Sequence, residues 1–316
     1  MFRRFARPIS LFLILLFVFA IPMAGSAQDD MVFYWVSHGA PTDPVWTYFL
    51  EGAVQWSEDT GHEVRTSFHS GDVPSHQEAI RAAIAAGAAG IVTSTPDPGS
   101  LTEVIAEAHA AGIPVIIINT EDKTSGRDAY VGGDNVVIGR RWAQYLVDNG
   151  YVSEGSFVWM PVEVPGATYQ VLETEGIASV FDPLGITYEI TEATLDQAEI
   201  ITRMSDYLTA NRDRIDAIIG LGDLVTGSIA RVFDQVGVAA GDIPVVGWGN
   251  SPETAQEVLD GYVNAAMWQD PQATSYMGLS MAMMAAVGIP PGFDIIVGTL
   301  YGADTAQVYL DIMTGN

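Results

Sequence analysis

One stretch in the first half of the chain, residues 89–122, constrains the fold more than any other. It holds two short apolar runs, 91–93 and 115–118, separated by a segment whose apolar residues recur with helical spacing. The second run is rich in β-branched residues and apolar on both faces, which is typical of a parallel strand covered by helices on both sides. The stretch therefore predicts a right-handed strand–helix–strand unit.

The helix of this unit is predicted over 100–111, with Ser100 as its N-cap and Glu103 as the capping-box partner. Small polar side chains follow both strands, among them Thr95 and Asn119. In open parallel sheets, ligands bind beyond the carboxyl ends of the strands. We therefore expect a binding site at this edge of the sheet.

The same alternation of strands and helices precedes this unit and begins again after a glycine-rich connection at 130–135. This pattern predicts an α/β protein built from two doubly wound parallel-sheet lobes. Loops at the strand ends of the two lobes should face one another across a cleft. The last segment, from Ala303 onward, is compatible with a peripheral helix but is not placed by its sequence.

The first 27 residues have the features of a secretory signal peptide. Three arginines precede the apolar run 9–21, and small residues follow up to Ala27, where cleavage is expected. An uncleaved membrane anchor is the alternative, but it would need closer to twenty apolar residues. No cysteine follows the apolar run, which excludes a lipid-anchored lipoprotein. We expect a periplasmic or other extracytoplasmic protein.

Charge and cysteine content exclude several functional classes. The chain has 13 Lys and Arg against 39 Asp and Glu, and removal of the three N-terminal arginines leaves 10 against 39, a net charge of −29. Such an acidic surface repels nucleic acid and gains nothing from anionic lipid. Because the sequence has no cysteine, disulfides, thiolate metal sites and a cysteine nucleophile are excluded.

Catalytic and cofactor motifs are also missing from the sequence. It has no nucleophile elbow, phosphate-binding glycine loop, dinucleotide fingerprint or zinc-binding HExxH helix. Its five histidines form no i, i+4 pair, although His69 and His76 flank one loop and helix start. We therefore predict a protein that is not an enzyme and that uses neither a metal nor a cofactor.

The loops expected to line the cleft share one composition: carboxylates, amides, hydroxyls and aromatic rings, with almost no cations. Lys123 and Arg127 lie beyond a strand end, and the other loops contain no arginine. Anionic ligands usually require arginine or a helix N-terminus, so a neutral polyhydroxylated ligand is favoured. As alternatives, the polar residues could only cap helices and shape turns, and the tryptophans could only pack. The candidate ligand-binding residues are Ser37, His38, Asp43, Trp46, Thr95, Asn119, Tyr169, Asp223, Trp248, Asn250 and Gln269.

These residues also carry a family resemblance. The chain after its signal peptide resembles the type I periplasmic sugar-binding proteins of ABC transporters, the ribose-binding group. The matching segments, in chain order, are residues 43–46, 94–96, 112–119, 133–135, 222–223, 245–248, 251–252 and Gln269. The resemblance implies two lobes, three connecting segments and a monosaccharide enclosed between the lobes.

The resemblance also implies domain ranges and residue roles. The N-terminal lobe would comprise 31–132 with 271–290, and the C-terminal lobe 133–270 with 291–316. The three crossings would lie near 132–134, 269–271 and 290–292. The first-loop polar residue and aromatic of the family fall on Asp43 and Trp46, its strand-end residues on Thr95 and Asn119, and its hinge glutamine on Gln269. We expect Asp43 to be ionised and Trp46 to stack on the ligand.

Three departures from the family pattern leave the identity of the sugar open. Asn119-Thr120 stands where ribose and galactose binders commonly have Asp-Arg, Gly249 stands where they have an aspartate, and an arginine usual near 169–171 is missing. The resemblance implies a monomer that delivers a neutral monosaccharide or polyol to a membrane ABC permease, without nucleic acid. A chemotaxis receptor, a quorum-signal binder and, from a different class, a secreted α/β enzyme remain alternatives. Sugar-responsive repressors share the fold, but the signal peptide and the acidity exclude them.

Overall fold

The computed structural model describes residues 31–315 except Pro96 and Pro98. The predicted signal peptide, 1–27, lies outside the described residues. In chain order the strands are β1 (Val32–Ser37), β2 (Glu63–Phe68), β3 (Gly90–Ser94), β4 (Val115–Asn119), β5 (Ala129–Gly133), β6 (Phe157–Val162), β7 (Thr187–Glu192), β8 (Ala217–Gly220), β9 (Val245–Trp248), β10 (Ala265–Trp268), β11 (Ile295–Val297) and β12 (Thr299–Gly302).

Helices connect most of these strands. They are α1 (Pro44–Thr60), α2 (Val73–Ala85), α3 (Thr102–Ala110), α4 (Asn135–Asp148), α5 (Thr168–Leu184), α6 (Gln197–Asn211), α7 (Asp223–Thr226), α8 (Ile229–Val236), α9 (Pro252–Leu259), α10 (Pro271–Ala286) and α11 (Ala306–Thr314). None of the described helices is long and apolar enough to span a membrane.

The strands form two six-stranded sheets, one in each lobe. The N-terminal sheet has the order β11-β5-β4-β3-β1-β2 and is parallel throughout. The C-terminal sheet has the order β12-β10-β9-β8-β6-β7, and only its edge strand β12 runs antiparallel. The predicted architecture of two doubly wound α/β lobes is confirmed. In each lobe the strand order changes direction at the first strand, which is where such sheets bind ligands.

Helix α10 belongs to the N-terminal lobe although it follows the C-terminal sheet in sequence. The indole nitrogens of two buried tryptophans, Trp35 on β1 and Trp56 on α1, donate to Ser275 and Ser280 on α10 at 3.0 and 3.1 Å. Gly52 lets α1 approach closely, because a Cβ at this position would lie 2.0 Å from the Gln272 carbonyl oxygen. These contacts place α10 in the N-terminal lobe.

Three local expectations are corrected by the structure. The glycine-rich connection at 130–135 is largely a strand, because Ala129–Gly133 pairs in register with β4. Ser100 does not cap α3: the helix begins at Thr102, and the Ser100 hydroxyl donates instead to the Asp97 carbonyl at 2.7 Å. The third crossing is not at 290–292, because Ile295–Val297 still pairs with β5.

In the described chain the third crossing instead lies at Gly298, between β11 and β12. Gly298 has a φ of 136°, a backbone conformation that favours glycine. The range predicted for the C-terminal lobe, 291–316, is therefore wrong over its first residues. The remainder does belong to that lobe, since β12 pairs with β10 and α11 packs against α9.

Candidate ligand-binding site

The carboxyl ends of strands from both sheets meet at a cavity of about 90 Å³ between the lobes. An adjoining cavity of about 370 Å³ shares part of its lining, including Asp43, Trp46 and Glu163. Most of the predicted site residues line the smaller cavity, namely His38, Asp43, Trp46, Asn119, Tyr169, Asp223, Trp248, Asn250 and Gln269. Thr95 lines only the larger one, and Ser37 lines neither.

The loop after β1 is held by hydrogen bonds to its own lobe. Ser37 lies behind the cavity, where its hydroxyl accepts a hydrogen bond from the Gly39 amide at 2.9 Å. The His38 amide donates to the Ser94 hydroxyl at 3.0 Å, and His38 Nδ1 lies 2.7 Å from the same oxygen. Burial lowers the pKa of His38 to about 4, so its imidazole is neutral at neutral pH. Ser37 thus shapes the loop, and His38 presents an uncharged ring.

Asp43 serves both the fold and the cavity. It is the N-cap of α1, where its Oδ1 accepts a hydrogen bond from the Val45 amide at 3.2 Å. The sequence favours this start because proline follows the cap at the first helical position. The same carboxyl lines both cavities. A substitution here consequently affects helix stability as well as the site.

Trp46 lies on the first turn of α1 and is only 6% exposed. Its ring lies against Phe49 with centroids 4.9 Å apart and meets the edge of His38, also at 4.9 Å. It packs so closely on the loop that a Cβ at Gly39 would fall 2.1 Å from the indole. Trp46 therefore packs into the N-terminal core and also forms part of the cavity wall, which leaves its predicted stacking role as a proposal.

A series of hydrogen bonds between Asn, Gln and Asp residues links the two lobes across the cleft. Asn119 ends β4 with a φ of 68°, an unusual value for a non-glycine residue, and its Nδ2 lies 3.5 Å from Gln269 Oε1. The backbone amide of Gln269 donates to Asn250 Oδ1 at 3.0 Å, and the backbone amide of Asn250 donates to Asp223 Oδ1 at 2.6 Å. Because Gln269 follows β10 directly at the second crossing, these contacts couple the hinge to the cavity wall.

The C-terminal lobe contributes two aromatic side chains. Trp248 ends β9 and donates its indole nitrogen to Glu173 Oε1 at 2.9 Å. Tyr169 lies on the first turn of α5, and its hydroxyl accepts a hydrogen bond from the Val164 amide at 3.3 Å. Both polar groups are used within the lobe, so these residues present mainly their rings to the cavity.

Sequence reasoning missed five residues that line the smaller cavity: Val45, Thr120, Asn135, Glu163 and Gly222. Glu163 follows β6 directly and accepts a hydrogen bond from the Leu224 amide at 2.8 Å. Its position after a strand end is the signal that would have found it, but the apolar run within 156–160 predicts a strand that ends at Met160, before Pro161. Thr120 follows the predicted Asn119 and donates to its Oδ1 at 2.8 Å.

Glu163 completes a cluster of three carboxyls with Asp43 from the opposite lobe and Asp223. Burial, and then repulsion by Asp223, raises the pKa of Asp43 to about 7. Burial raises the pKa of Asp223 to about 6, and burial together with Asp43 and Asp223 raises the pKa of Glu163 well above its usual range. The expectation of an ionised Asp43 concerns the ligand-bound site and stays a prediction, whereas in the unliganded protein the raised pKa of Asp43 favours its protonated form below about pH 7. At least part of this cluster retains its protons near neutrality.

Two buried polar atoms at the cavities have no hydrogen-bond partner among the residues that the structure describes. They are Asn135 Nδ2, at the start of α4, and Thr95 Oγ1, after β3. Both residues are almost completely buried, at 3% and 1% exposure. Buried polar groups are nearly always hydrogen-bonded in folded proteins, so such atoms at a cavity wall indicate groups that a ligand could satisfy. Among the described residues, no group of three or more His, Cys, Asp or Glu could hold a metal ion.

A family model described as a periplasmic binding protein domain matches residues 33–290. The chain belongs to this family. Among its relatives are the ribose import binding protein of Bacillus subtilis, 20% identical over 73% of each chain, and the xylose/arabinose-binding protein of Sulfolobus acidocaldarius. The latter is 23% identical over 67% of this chain and 55% of its own length.

Solved structures of the same fold align over most of the chain. A solute-binding protein of an ABC transporter from Burkholderia graminis, in complex with D-arabinose, has a TM-score of 0.79, 21% identity and coverage of 87% of this chain and 96% of its own. A carbohydrate transporter from Acidothermus cellulolyticus, in complex with myo-inositol, also has a TM-score of 0.79, with 19% identity and 90% and 98% coverage. These similarities establish the two-lobed binding-protein fold.

Proposed function

We propose that the protein is an extracytoplasmic solute-binding protein that captures a monosaccharide or polyol between its lobes and delivers it to an ABC permease. The observation that carries this proposal is the interlobe cavity itself. Strand ends of both sheets line it with carboxyl, amide and aromatic side chains, and none of its described lining residues is Lys or Arg. A ligand with a phosphate or carboxylate group would find no counter-charge in such a cavity.

The lining chemistry suits a ligand with several hydroxyl groups. Carboxyl and amide groups such as those of Asp43, Asn119 and Gln269 can accept or donate hydrogen bonds to hydroxyls. Rings such as those of Trp46 and Trp248 offer apolar faces to the C–H groups of a sugar. The relatives support the same class, since their names or bound ligands are ribose, xylose, arabinose and myo-inositol.

We infer binding without turnover and an extracytoplasmic location from membership in the solute-binding family. A thermal-shift screen tests the proposal with pentoses, hexoses, alditols and the amino-substituted analogues of each. The protein should be stabilised by at least one compound, because a ligand that binds only the folded state raises the melting temperature. Calorimetry should give one site per chain, and chromatography should recover the compound unchanged. Conversion of the compound, or no binding by any member of the panel, would overturn the proposal.

A matched pair of glutamines tests the location of the site. Gln269 lines the interlobe cavity, whereas Gln272, three residues later, is exposed and donates to Glu51 on the outer face of α1. Gln269→Ala should weaken binding by about 0.5–1.5 kcal/mol, the usual net value of one hydrogen bond. Gln272→Ala should bind as the wild type does. Equal affinity of both variants would exclude Gln269 from the site.

Closure of the lobes is part of this proposal. The connections at Asp134, between Trp268 and Pro271, and at Gly298 are short segments that can absorb changes in backbone dihedral angle. A ligand that contacts both lobes binds the closed state more tightly and shifts the population toward it. Small-angle scattering should therefore show a smaller radius of gyration at saturating ligand. An unchanged radius in a protein that binds the compound would exclude hinge closure.

A further inference from the structure

The carboxyls of Asp43, Glu163 and Asp223 line one small cavity, and they come from two lobes. Glu163 and Asp223 each accept one hydrogen bond from a backbone amide, at 2.8 and 2.6 Å, which fixes one oxygen of each carboxyl. Backbone amides orient these groups but do not neutralise them. The cavity thus concentrates up to three negative charges in a partly buried space.

No positive side chain balances these carboxyls. Neither cavity has a lysine or arginine among its described lining residues, and the one histidine, His38, is neutral. Like charges at short range in a partly buried site repel strongly, because the effective dielectric is far below that of water. Without a cation the carboxyls reduce this repulsion by keeping protons, which agrees with the pKa values of Asp43 and Glu163, raised by burial and then by their carboxyl neighbours.

A second, independent observation indicates that a ligand also brings hydroxyl groups to this place. Asn135 Nδ2 and Thr95 Oγ1 are buried at the walls of the two adjoining cavities and have no partner. The amide nitrogen can only donate a hydrogen bond, so it needs an acceptor oxygen. An ammonium group alone could not satisfy it. The cavity walls therefore fit a ligand that carries both a positive charge and hydroxyl groups.

We propose that the ligand is a polyhydroxylated amine, an amino sugar or amino polyol, whose ammonium group lies between Asp43, Glu163 and Asp223. Its hydroxyl groups would meet Asn135 and the amides of Asn119 and Gln269. This inference rests on the proposed function of the same cleft. It also explains why the cleft lacks the cations that would hold an anionic ligand.

Binding of an ammonium ion to this cluster has a defined proton balance. The amine enters already protonated, and the carboxyl protons that it displaces are released to the buffer. Affinity for the amine should therefore increase as pH rises from 5 to 7, while the carboxyls lose their protons and the amine keeps its own. The other titratable groups that interact with the cluster or line its cavity are His38, Tyr48, Tyr169, Glu173, Glu253, Glu257 and Tyr301.

The test compares matched pairs of compounds by calorimetry at pH 6.5, where the amines are largely protonated and the carboxyls still hold part of their protons. The pairs are D-glucose and D-glucosamine, D-galactose and D-galactosamine, and D-sorbitol and 1-amino-1-deoxy-D-sorbitol. The amine should bind at least tenfold more tightly than its neutral partner in at least one pair and should release protons, measured in buffers of different ionisation enthalpy. If neutral members bind and no amine exceeds its partner, this inference is overturned and the proposed function stands. If no sugar or polyol binds, both are overturned.

Two variants test whether the preference for the amine depends on the carboxyl cluster. Glu163→Gln keeps the shape of the side chain and an oxygen for the Leu224 amide, and it should reduce the preference for the amine at least tenfold. Glu189→Gln is the control, because Glu189 is a carboxyl of the same lobe that pairs with Arg214 at 2.6 Å and lies outside both cavities, and it should leave the preference unchanged. Asp223→Asn serves in place of Glu163→Gln if that variant does not fold. An unchanged preference in the cluster variant would overturn the inference.

Discussion

The two walls of the cleft are built by the same strand-end geometry, yet their functional groups are held in different ways. On the N-terminal wall, Trp46 and His38 are fixed by side-chain packing and by Ser94. On the C-terminal wall, Glu163 and Asp223 are fixed mainly by backbone amides, with the Thr254 hydroxyl also donating to Asp223 at 3.4 Å. The N-terminal wall therefore depends on the packing of its own core. The C-terminal wall instead holds its carboxyls by hydrogen bonds that do not require the carboxyls to be charged.

This difference separates stability from binding. A change on the N-terminal wall should alter the free energy of unfolding together with affinity, because the side chains that line the cavity also fill the core. A change of charge on the C-terminal wall should alter affinity while leaving the fold nearly unchanged. Asp43 stands between the two cases, since it belongs to the N-terminal wall but contributes a carboxyl to the cluster.

The largest effect is expected for Trp46→Ala. Its nearly complete burial against Phe49, His38 and Gly39 predicts a loss of about 3–5 kcal/mol in the free energy of unfolding, the usual range for removing a large buried ring. Urea denaturation measures this loss. A loss below 1 kcal/mol would show that Trp46 is not part of the core, and the contrast between the walls would fail.

On the other wall, Asp223→Asn should separate the two properties. Asparagine keeps an oxygen for the Asn250 amide but removes the charge. Affinity for the tightest compound found should fall by about 1.5–3 kcal/mol, the range for a hydrogen bond to a charged group. Calorimetry and denaturation of the same preparation measure both quantities. A large loss of stability with unchanged affinity would mean that Asp223 supports the fold and does not contribute to binding.

A smaller effect should distinguish two substitutions at Asp43. Asp43→Ala removes the N-cap of α1 and should cost about 1 kcal/mol in the free energy of unfolding. Asp43→Asn retains the cap, since asparagine caps about as well, so it should lose affinity and be more stable than Asp43→Ala. Equal stability of the two variants would mean that the hydrogen bond to the Val45 amide does not contribute.

The smallest effect is the pH dependence of the unliganded protein. Asp43 and Asp223 keep protons in the folded state at pH values where the unfolded chain has lost them, so they make stability fall as pH rises from about 4 to about 7. The lowered pKa values of His38 and His76 act in the opposite direction below pH 6.5. The difference between wild type and Asp43→Asn isolates the carboxyl. The variant should gain stability relative to wild type between pH 5 and pH 7.5, and a relative loss would contradict the raised pKa.

Strand-end reasoning located most of the cavity because it depends on local pattern. Carboxyl ends of parallel strands converge, so residues such as Asn119, Trp248 and Asn250 could be placed from the apolar runs that precede them. Ser37 follows the same rule but turns away, because its hydroxyl bonds to Gly39 two residues later. The sequence pattern alone cannot predict that a nearby backbone amide, and not the cavity, will engage a side chain such as that of Ser37.

Other errors had long-range causes. Glu163 was missed because β6 extends through Val162, two residues beyond its predicted end, where it pairs with β7. The third crossing was misplaced because Pro290 and Pro291 suggested a boundary, whereas the pairing of Ile295–Val297 with β5 is made by residues about 165 positions apart. The raised pKa of Asp43 depends on its burial and then on Asp223 in the other lobe, and the sequence specifies neither.

A crystal structure with the tightest compound of the screen tests the central claim most directly. The account predicts the compound between the lobes, in contact with Asp43 on one wall and with Glu163 or Asp223 on the other. Electron density for the compound outside the cleft, for example in the groove between α1 and α10 beside Gln55 and Met277, with the cleft side chains unchanged, would contradict it.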